Sequence, residues 1–118
     1  MLFRFGLLVR SFDVNELDDV IHGRLRLGIM AYLVGAGSAD FTTLKTHLQA
    51  SDGNLSVHLR KLEEAGYVAV QKSFRERKPL TEVSLTDSGR SAFVRYLESL
   101  GSLVKGRSEE HTSELQSH

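Results

Sequence analysis

The side chains best suited to chemistry lie on the outer face of one predicted helix, residues 54–65. Leu55, Leu59 and Leu62 recur at helical spacing and define an inward face. The surface that remains carries small, polar and cationic residues, namely Asn54, Ser56, Val57, Arg60 and Lys61. Arginine can chelate a guanine edge, asparagine an adenine edge, and valine can contact a thymine methyl. This composition suits base reading, although many solvated helix faces are equally charged.

A second group of cations follows this helix, in a predicted β-hairpin. Four basic residues, Lys72, Arg75, Arg77 and Lys78, lie close together and are opposed only by Glu76. An anion would relieve their mutual repulsion, and a protruding basic loop can reach a minor groove or its phosphates. Basic residues at a hairpin also guard an edge strand against aggregation, and both roles are compatible. Ser51 and the first backbone amides of helix 54–65 suit phosphate oxygens as well.

The elements before this helix are predicted to be helical, with one short extended piece. Apolar residues from Leu17 to Val34 have largely helical spacing, after a polar start at 13–16 and before a glycine-rich break at 35–38. Gly23 and Gly28 each weaken a helix by about 1 kcal/mol relative to alanine, so two helices with a bend near Gly23 are an alternative. Residues 39–41 are extended, and Thr42 or Thr43 then caps a helix over residues 44–49.

Helix-capping residues and alternating apolar residues predict the elements around the hairpin. Ser51 or Asp52 is the expected cap of helix 54–65, and Gly66 ends it in the left-handed conformation. Alternating apolar residues predict strands over residues 67–74 and 81–85, with Pro79 at the end of the turn or at an edge. Thr86 then caps a last helix, roughly 87–104. The fold class is therefore α+β and mostly helical: a winged helix-turn-helix with a two-stranded wing and a C-terminal dimerisation helix.

The last predicted helix carries more apolar surface than one small core can cover. Its apolar residues extend from Ala92 to Val104 at helical spacing. A patch of that size rarely stays exposed, which predicts a homodimer. The predicted dimer-interface residues are Phe93, Tyr96, Leu97, Leu100 and Leu103.

Composition limits the classes of function. The 118 residues suffice for one domain, and the absence of cysteine excludes disulfides, a thiolate nucleophile and a cysteine-rich zinc site. It also fits a reducing cytoplasm. Candidate catalytic groups such as Asp18, His22, His47 and His58 are scattered, with no nucleophile elbow, phosphate loop or paired acids. We expect no enzymatic activity, no catalytic residue, no metal and no cofactor.

The two ends of the chain are treated apart from the domain, which is predicted to cover residues 13–106. Residues 1–12, MLFRFGLLVRSF, contain an apolar run too short to span a bilayer, and no signal-peptide cleavage site follows it. Two interpretations of this extension stay open: a short strand or helix that packs on a partner subunit, or residues translated from an incorrect upstream start codon. Residues 107–118, RSEEHTSELQSH, lack any apolar period and resemble a translated sequencing adapter, which predicts a non-native tail. Without that tail the formal net charge changes from zero to +2.

Residues 17–96 resemble the winged helix-turn-helix transcriptional regulators of the MarR and ArsR-like kind, and most closely the compact MarR-like type. The segments that carry the resemblance are IHGRLRLGIMAYL (21–33), DFTTLKTHL (40–48), DGNLSVHLRKLEEAGYV (52–68), KSFRERKPLTEVSLTDSGR (72–90) and AFVRYLESL (92–100). The resemblance implies a cytoplasmic homodimer on a palindromic double-stranded DNA operator. It gives recognition-helix roles to Asn54, Ser56, Val57, Arg60 and Lys61, and wing roles to Arg75, Arg77 and Lys78.

A rival function of a different class is a winged helix used as a protein-interaction module. Such modules commonly have an apolar or acidic helix face and a short, neutral wing. Arg60, Lys61 and the wing cations argue against it here. The sequence predicts no membrane association and identifies no small-molecule effector, operator or sign of regulation.

Overall fold

The computed structural model describes residues 17–107, with side chains through residue 104. This part of the chain forms four helices and three strands. In chain order they are α1 (Arg24–Ala36), β1 (Ser38–Asp40), α2 (Phe41–Leu48), α3 (Asp52–Glu64), β2 (Val68–Arg75), β3 (Lys78–Leu85) and α4 (Asp87–Arg107). The predicted winged-helix fold is confirmed: a helical domain carries a long β-hairpin between α3 and α4. Predictions on residues 1–16 and 108–118 lie outside the described residues.

The predicted continuous helix from Leu17 is wrong, because residues 17–23 form turns. Asp18 Oδ1 accepts hydrogen bonds from the backbone N–H of Val20 at 2.8 Å and of Ile21 at 3.3 Å. An aspartate that binds its own following amides offers the backbone an alternative to the helix. The helix α1 begins only at Arg24, after an extended Gly23. The alternative of two helices with a bend near Gly23 correctly placed the start of α1, but the segment before Gly23 is not a helix.

The cap of α2 also differs from the prediction, since it is Asp40 rather than Thr42 or Thr43. Asp40 Oδ1 accepts a hydrogen bond from the Thr43 backbone N–H at 2.7 Å, so the helix begins at Phe41. A carboxylate is favourable there because it meets the positive end of the helix dipole. The side-chain and backbone hydrogen bonds of Thr43 lower the pKa of Asp40.

The ends of α3 and the start of α4 agree with the sequence signals. Ser51 Oγ accepts from the Asn54 backbone N–H at 3.2 Å, and Gly66 follows α3 with φ of 82°. Thr86 Oγ1 accepts from the Gly89 backbone N–H at 2.9 Å and lies 2.6 Å from the Gly66 carbonyl oxygen, to which it donates. This one hydroxyl therefore joins the end of α3 to the start of α4.

The core lies between the helices and one face of the sheet. Leu55, Leu59 and Leu62 of α3 are buried, as their spacing predicted. They pack with buried apolar residues of α1, α2, β2, β3 and α4, and partly buried Ala39 of β1 packs against the same cluster. The fully buried members include Ile21, Ile29, Met30, Leu33, Leu44 and Val83. Burial of one face of α3 fixes which of its side chains face solvent.

The wing is the outer part of a three-stranded antiparallel sheet in the order β1-β3-β2. The third strand, β1, pairs with residues 82–84 of β3, where the sequence indicated only an extended piece. The hairpin pairing of β2 with β3 runs from Val68–Leu85 to Arg75–Lys78. The two-residue turn between them has Glu76 at φ 53° and Arg77 at φ 70°. Both central residues of such a hairpin turn need positive φ, which costs a non-glycine residue about 1 kcal/mol or more.

Pro79 lies inside β3 rather than at the end of the turn, in a part of the strand that is paired on one side only and is therefore an edge. It pairs with Phe74, next to the closing pair Arg75–Lys78. In a two-residue hairpin the closing pair is hydrogen-bonded, so the next pair is not, and the proline nitrogen points away from β2. Because β1 does not reach this far along β3, proline removes no hydrogen bond from the sheet.

Candidate nucleic-acid interface

The outer face of α3 is exposed along its whole length. The predicted contact residues Asn54, Ser56, Val57, Arg60 and Lys61 are all exposed, and so is the cap residue Ser51. Val57 retains 51% of its surface, which is unusual for valine in a folded domain. The helix thus presents hydrogen-bonding, apolar and cationic side chains together, and the diameter of an α-helix matches the width of the major groove.

A groove of about 380 Å³ connects this helix with the wing. It is lined by Ser56 and Arg60 from α3 and by Lys72 and Thr81 from the wing, so the structure brings together residues predicted separately on the two elements. Two acidic residues that no sequence pattern placed there, Asp52 and Glu63, also line the groove. Lys45 holds Asp52 through an exposed ion pair of 2.8 Å. An ion pair this exposed adds little stability, but it offsets one of the two negative charges beside Arg60.

The wing places its remaining cations beyond the groove. Arg75 and Lys78 form the closing pair of the hairpin, Arg77 lies in the turn, and all three are exposed. Within residues 17–107, no predicted contact cation of α3 or the wing forms an ion pair with an acidic side chain. After the hydrogen bonds of Thr43, the charge of Arg75 further lowers the pKa of Asp40. These cations are therefore available to an external anion.

Arg26 of α1 supports α3 from behind, a contact that the sequence did not reveal. Its Nε donates to the Val20 carbonyl oxygen at 2.5 Å, and its Nη1 lies 2.8 Å from His58 Nδ1 on α3. Because a guanidinium can only donate, His58 Nδ1 must accept, and the neutral imidazole carries its proton on Nε2. Burial, followed by the charges of Arg26 and Lys61, lowers the pKa of His58.

This contact predicts a pH-dependent contribution to stability. The pKa of His58 is lowered from an ordinary value of 6.5, so the unfolded chain binds the proton more readily. The contribution is fully present above pH 6.5 and is lost as the pH falls through the lower pKa of the folded state. Urea unfolding across this range should show a weaker pH dependence in His58→Asn, which keeps an acceptor but does not titrate. The exposed His47 provides the control, and an equal change in His47→Asn would contradict the assignment to His58.

A second contact fixes the junction between α3 and the wing. The Tyr67 hydroxyl donates to Asp18 Oδ2 at 2.5 Å, and this bond, together with burial, raises the pKa of Tyr67 to about 12. On α4, Tyr96 Oη lies 2.8 Å from His22 Nδ1. The turn at 17–23 is thus bonded to the junction between α3 and β2 and to α4, as well as to Arg26 of α1. The partners are 49 and 74 residues apart, a separation at which no local sequence pattern could have identified them.

The predicted dimer-interface residues divide into two groups. Phe93 and Tyr96 are only 6% and 3% exposed, because both pack in the core of their own chain. Leu100 and Leu103 are half-buried, and Leu97 is 49% exposed. Val94, which was not predicted, lies beside Leu97 on α4 and is 48% exposed. The exposed apolar residues of α4 are therefore Val94, Leu97 and Val104, rather than Phe93 and Tyr96.

Within the described range, no helix has the length and apolar character needed to cross a bilayer.

The comparisons with known proteins agree with the architecture. A family model for the winged helix DNA-binding domain matches residues 25–104. The uncharacterized protein MJ0432 of Methanocaldococcus jannaschii is 37% identical over 86 residues, which cover 73% of this chain and 94% of that protein.

Many solved structures are similar in fold, and two of them represent the range of sequence identity. A transcriptional regulator homologue from Pyrococcus horikoshii OT3 has a TM-score of 0.70 and 36% identity, covering 74% of this chain and 86% of its own. A MarR-family transcriptional regulator from Silicibacter pomeroyi has a TM-score of 0.59 and 17% identity, covering 98% of this chain and 78% of its own. The second supports the fold alone. With the family match and the archaeal regulator, the conclusion is that this chain belongs to the winged-helix DNA-binding domain family of transcriptional regulators.

Proposed function

We propose that the protein is a homodimeric, sequence-specific regulator that reads duplex DNA. In this proposal α3 enters the major groove, and the wing, residues 72–81, binds the adjacent minor groove and its phosphates. The observation that carries the proposal is the groove shared by Arg60 and Lys72, because it places the exposed cations of helix and wing side by side. Base contacts are assigned to Asn54, Val57, Arg60 and Lys61, and phosphate contacts to Ser51, Ser56, Lys72, Arg75, Arg77 and Lys78.

Binding of duplex DNA should depend strongly on salt. If each subunit neutralises three to four phosphates, a dimer releases enough counterions to give a log–log slope of affinity against salt of roughly −5 to −7. Fluorescence anisotropy with a labelled duplex over a series of salt concentrations measures this slope. Absence of binding at low salt, or a flat dependence, would contradict the proposal and favour a protein-interaction module.

The dimer is proposed to form through α4. Leu97→Glu should place a charge in the contact and convert a dimer into a monomer at micromolar concentration, as measured by sedimentation, because an unpaired buried charge is costly. Ser102→Glu is the matched control, since Ser102 is exposed on the same helix at roughly 140° from Leu97. A wild-type monomer, or equal effects of both changes, would argue against this interface. A dimer should read half-sites about one helical turn apart.

A further inference from the structure

The wing carries an exposed aromatic residue that none of the interactions described above explains. Phe74 retains 75% of its surface, more than Val57, Val94, Leu97 or Val104. It lies in β2, one residue before the closing pair of the hairpin, and takes no part in the core. An exposed phenylalanine at the end of an edge strand invites aggregation, so its presence there calls for a partner.

The register of the hairpin defines the face on which Phe74 lies. Side chains alternate along a strand, so Phe74 shares a face with Val68, Val70 and Lys72. Val68 is buried on that face, and Val70 and Lys72 line the groove against α3. Phe74 therefore extends this same face beyond the end of the groove. It projects on the side of the wing that faces α3 and would face any molecule bound there.

The surroundings of Phe74 indicate the chemistry of that partner. Lys72 lies two residues away on the same face, Arg75 is adjacent, and Arg77 and Lys78 complete the tip. Pro79 is the cross-strand neighbour of Phe74, in a pair of the type whose side chains lie close together. An apolar ring with one cation on its own face and three more at the adjoining tip fits a polyanion that has apolar surfaces between its charges. The minor groove of DNA has this character, with sugars and base edges between two rows of phosphates.

We propose that Phe74 is an apolar wedge, which enters the minor groove while the wing cations bind the flanking phosphates. The proposal rests on the proposed function and adds a residue that contributes to sequence preference. A ring that presses on or between base pairs requires partial unstacking, and unstacking is easiest at pyrimidine–purine steps such as TA. The wing then favours such steps through the deformability of DNA, without hydrogen bonds to bases.

Substitution of Phe74 tests the energetic part of the proposal. Phe74→Ala should weaken binding of a duplex of about 30 base pairs by about tenfold, in the range that base–aromatic contacts commonly contribute, and Phe74→Leu should restore part of it. Wild type should prefer a duplex with TA steps in the wing-contacted flank over one with an A-tract there, and Phe74→Ala should lose this preference. Gln71→Ala is the matched control, because Gln71 is exposed in the same strand on the opposite face; it should retain both properties.

Because the chain contains no tryptophan, an indole introduced at position 74 reports directly on the surroundings of that side chain. In Phe74→Trp the new indole is the only one, and its emission should be quenched and shifted when duplex DNA is added, while that of Ser73→Trp on the opposite face should change much less. If wild type binds DNA but Phe74→Ala binds equally well and the indole does not respond, the wedge is refuted and DNA binding stands. If wild type fails to bind, both proposals fail. A change of oligomeric state in Phe74→Ala would instead assign the ring to contact with a second copy.

Discussion

Replacement of Arg60 by alanine is expected to weaken binding to a selected DNA site by about 1–3 kcal/mol, or roughly 5- to 150-fold. Arg60 is exposed on the outer face of α3, opposite the buried Leu55 and Leu59, and it lines the groove shared with the wing. A guanidinium in that position can donate two hydrogen bonds to a guanine edge. The loss should therefore be largest on the selected site and small on a scrambled duplex, as measured by titrating both.

Arg77→Ala is the matched comparison because it removes the same charge from the wing. Arg77 lies in the hairpin turn, where its expected contact is a phosphate, so its loss should weaken selected and scrambled duplexes alike. It should also make the salt slope shallower by about one unit per subunit. If Arg60→Ala and Arg77→Ala lower both affinities equally, α3 does not read bases.

Gly89→Ala is expected to destabilise the fold by about 3 kcal/mol, near the upper end for overpacking. Gly89 is buried in the first turn of α4, and an added Cβ would overlap the Tyr67 carbonyl oxygen and lie 2.9 Å from its carbon. That carbonyl cannot easily move aside, because it accepts from the Thr86 backbone N–H at 3.1 Å and lies 3.0 Å from Thr86 Oγ1. Urea unfolding measures the loss.

Gly35→Ala, in the exposed last turn of α1 and away from the proposed dimer contact, should have the opposite sign. An added Cβ at Gly35 meets nothing within 4 Å, so the change only removes conformational freedom from the unfolded chain. It should stabilise the protein by about 0.5–1 kcal/mol. Similar effects of the two changes would mean that α4 does not approach Tyr67 as closely as described.

The parts of the interface that could be predicted from the sequence are those set by local periodicity. The spacing of Leu55, Leu59 and Leu62 determined which side of α3 is buried, and hence that Arg60 and Lys61 are exposed. Similarly, alternation around Val68 and Val83 placed the hairpin, although the second strand, predicted over residues 81–85, begins at Lys78. Such patterns depend only on residues within one element.

Features that depend on distant partners could not be predicted in this way. The turn at 17–23 replaces a helix because Asp18 binds its own amides and also Tyr67, 49 residues later. The support of α3 by Arg26 depends on His58, 32 residues away. Likewise, the apolar spacing of α4 did not distinguish Phe93, which packs inside its own chain, from Leu97, which remains exposed. Apolar periodicity predicts which face of a helix is apolar, but it does not tell whether that face packs in the chain's own core or stays on its surface.

The short strand β1 divides the wing into two mechanical regions. Residues 82–84 of β3 are held on both sides, by β1 and by β2, whereas residues 78–81 are paired with β2 alone. A two-stranded ribbon is only marginally stable in water, so amide exchange should be slow at the root of the wing and progressively faster towards Glu76 and Arg77. In the proposed DNA complex, the tip can then bend to follow grooves of different width while α3 stays in place. There β1 separates the compliance needed to fit DNA from the rigidity needed to read it.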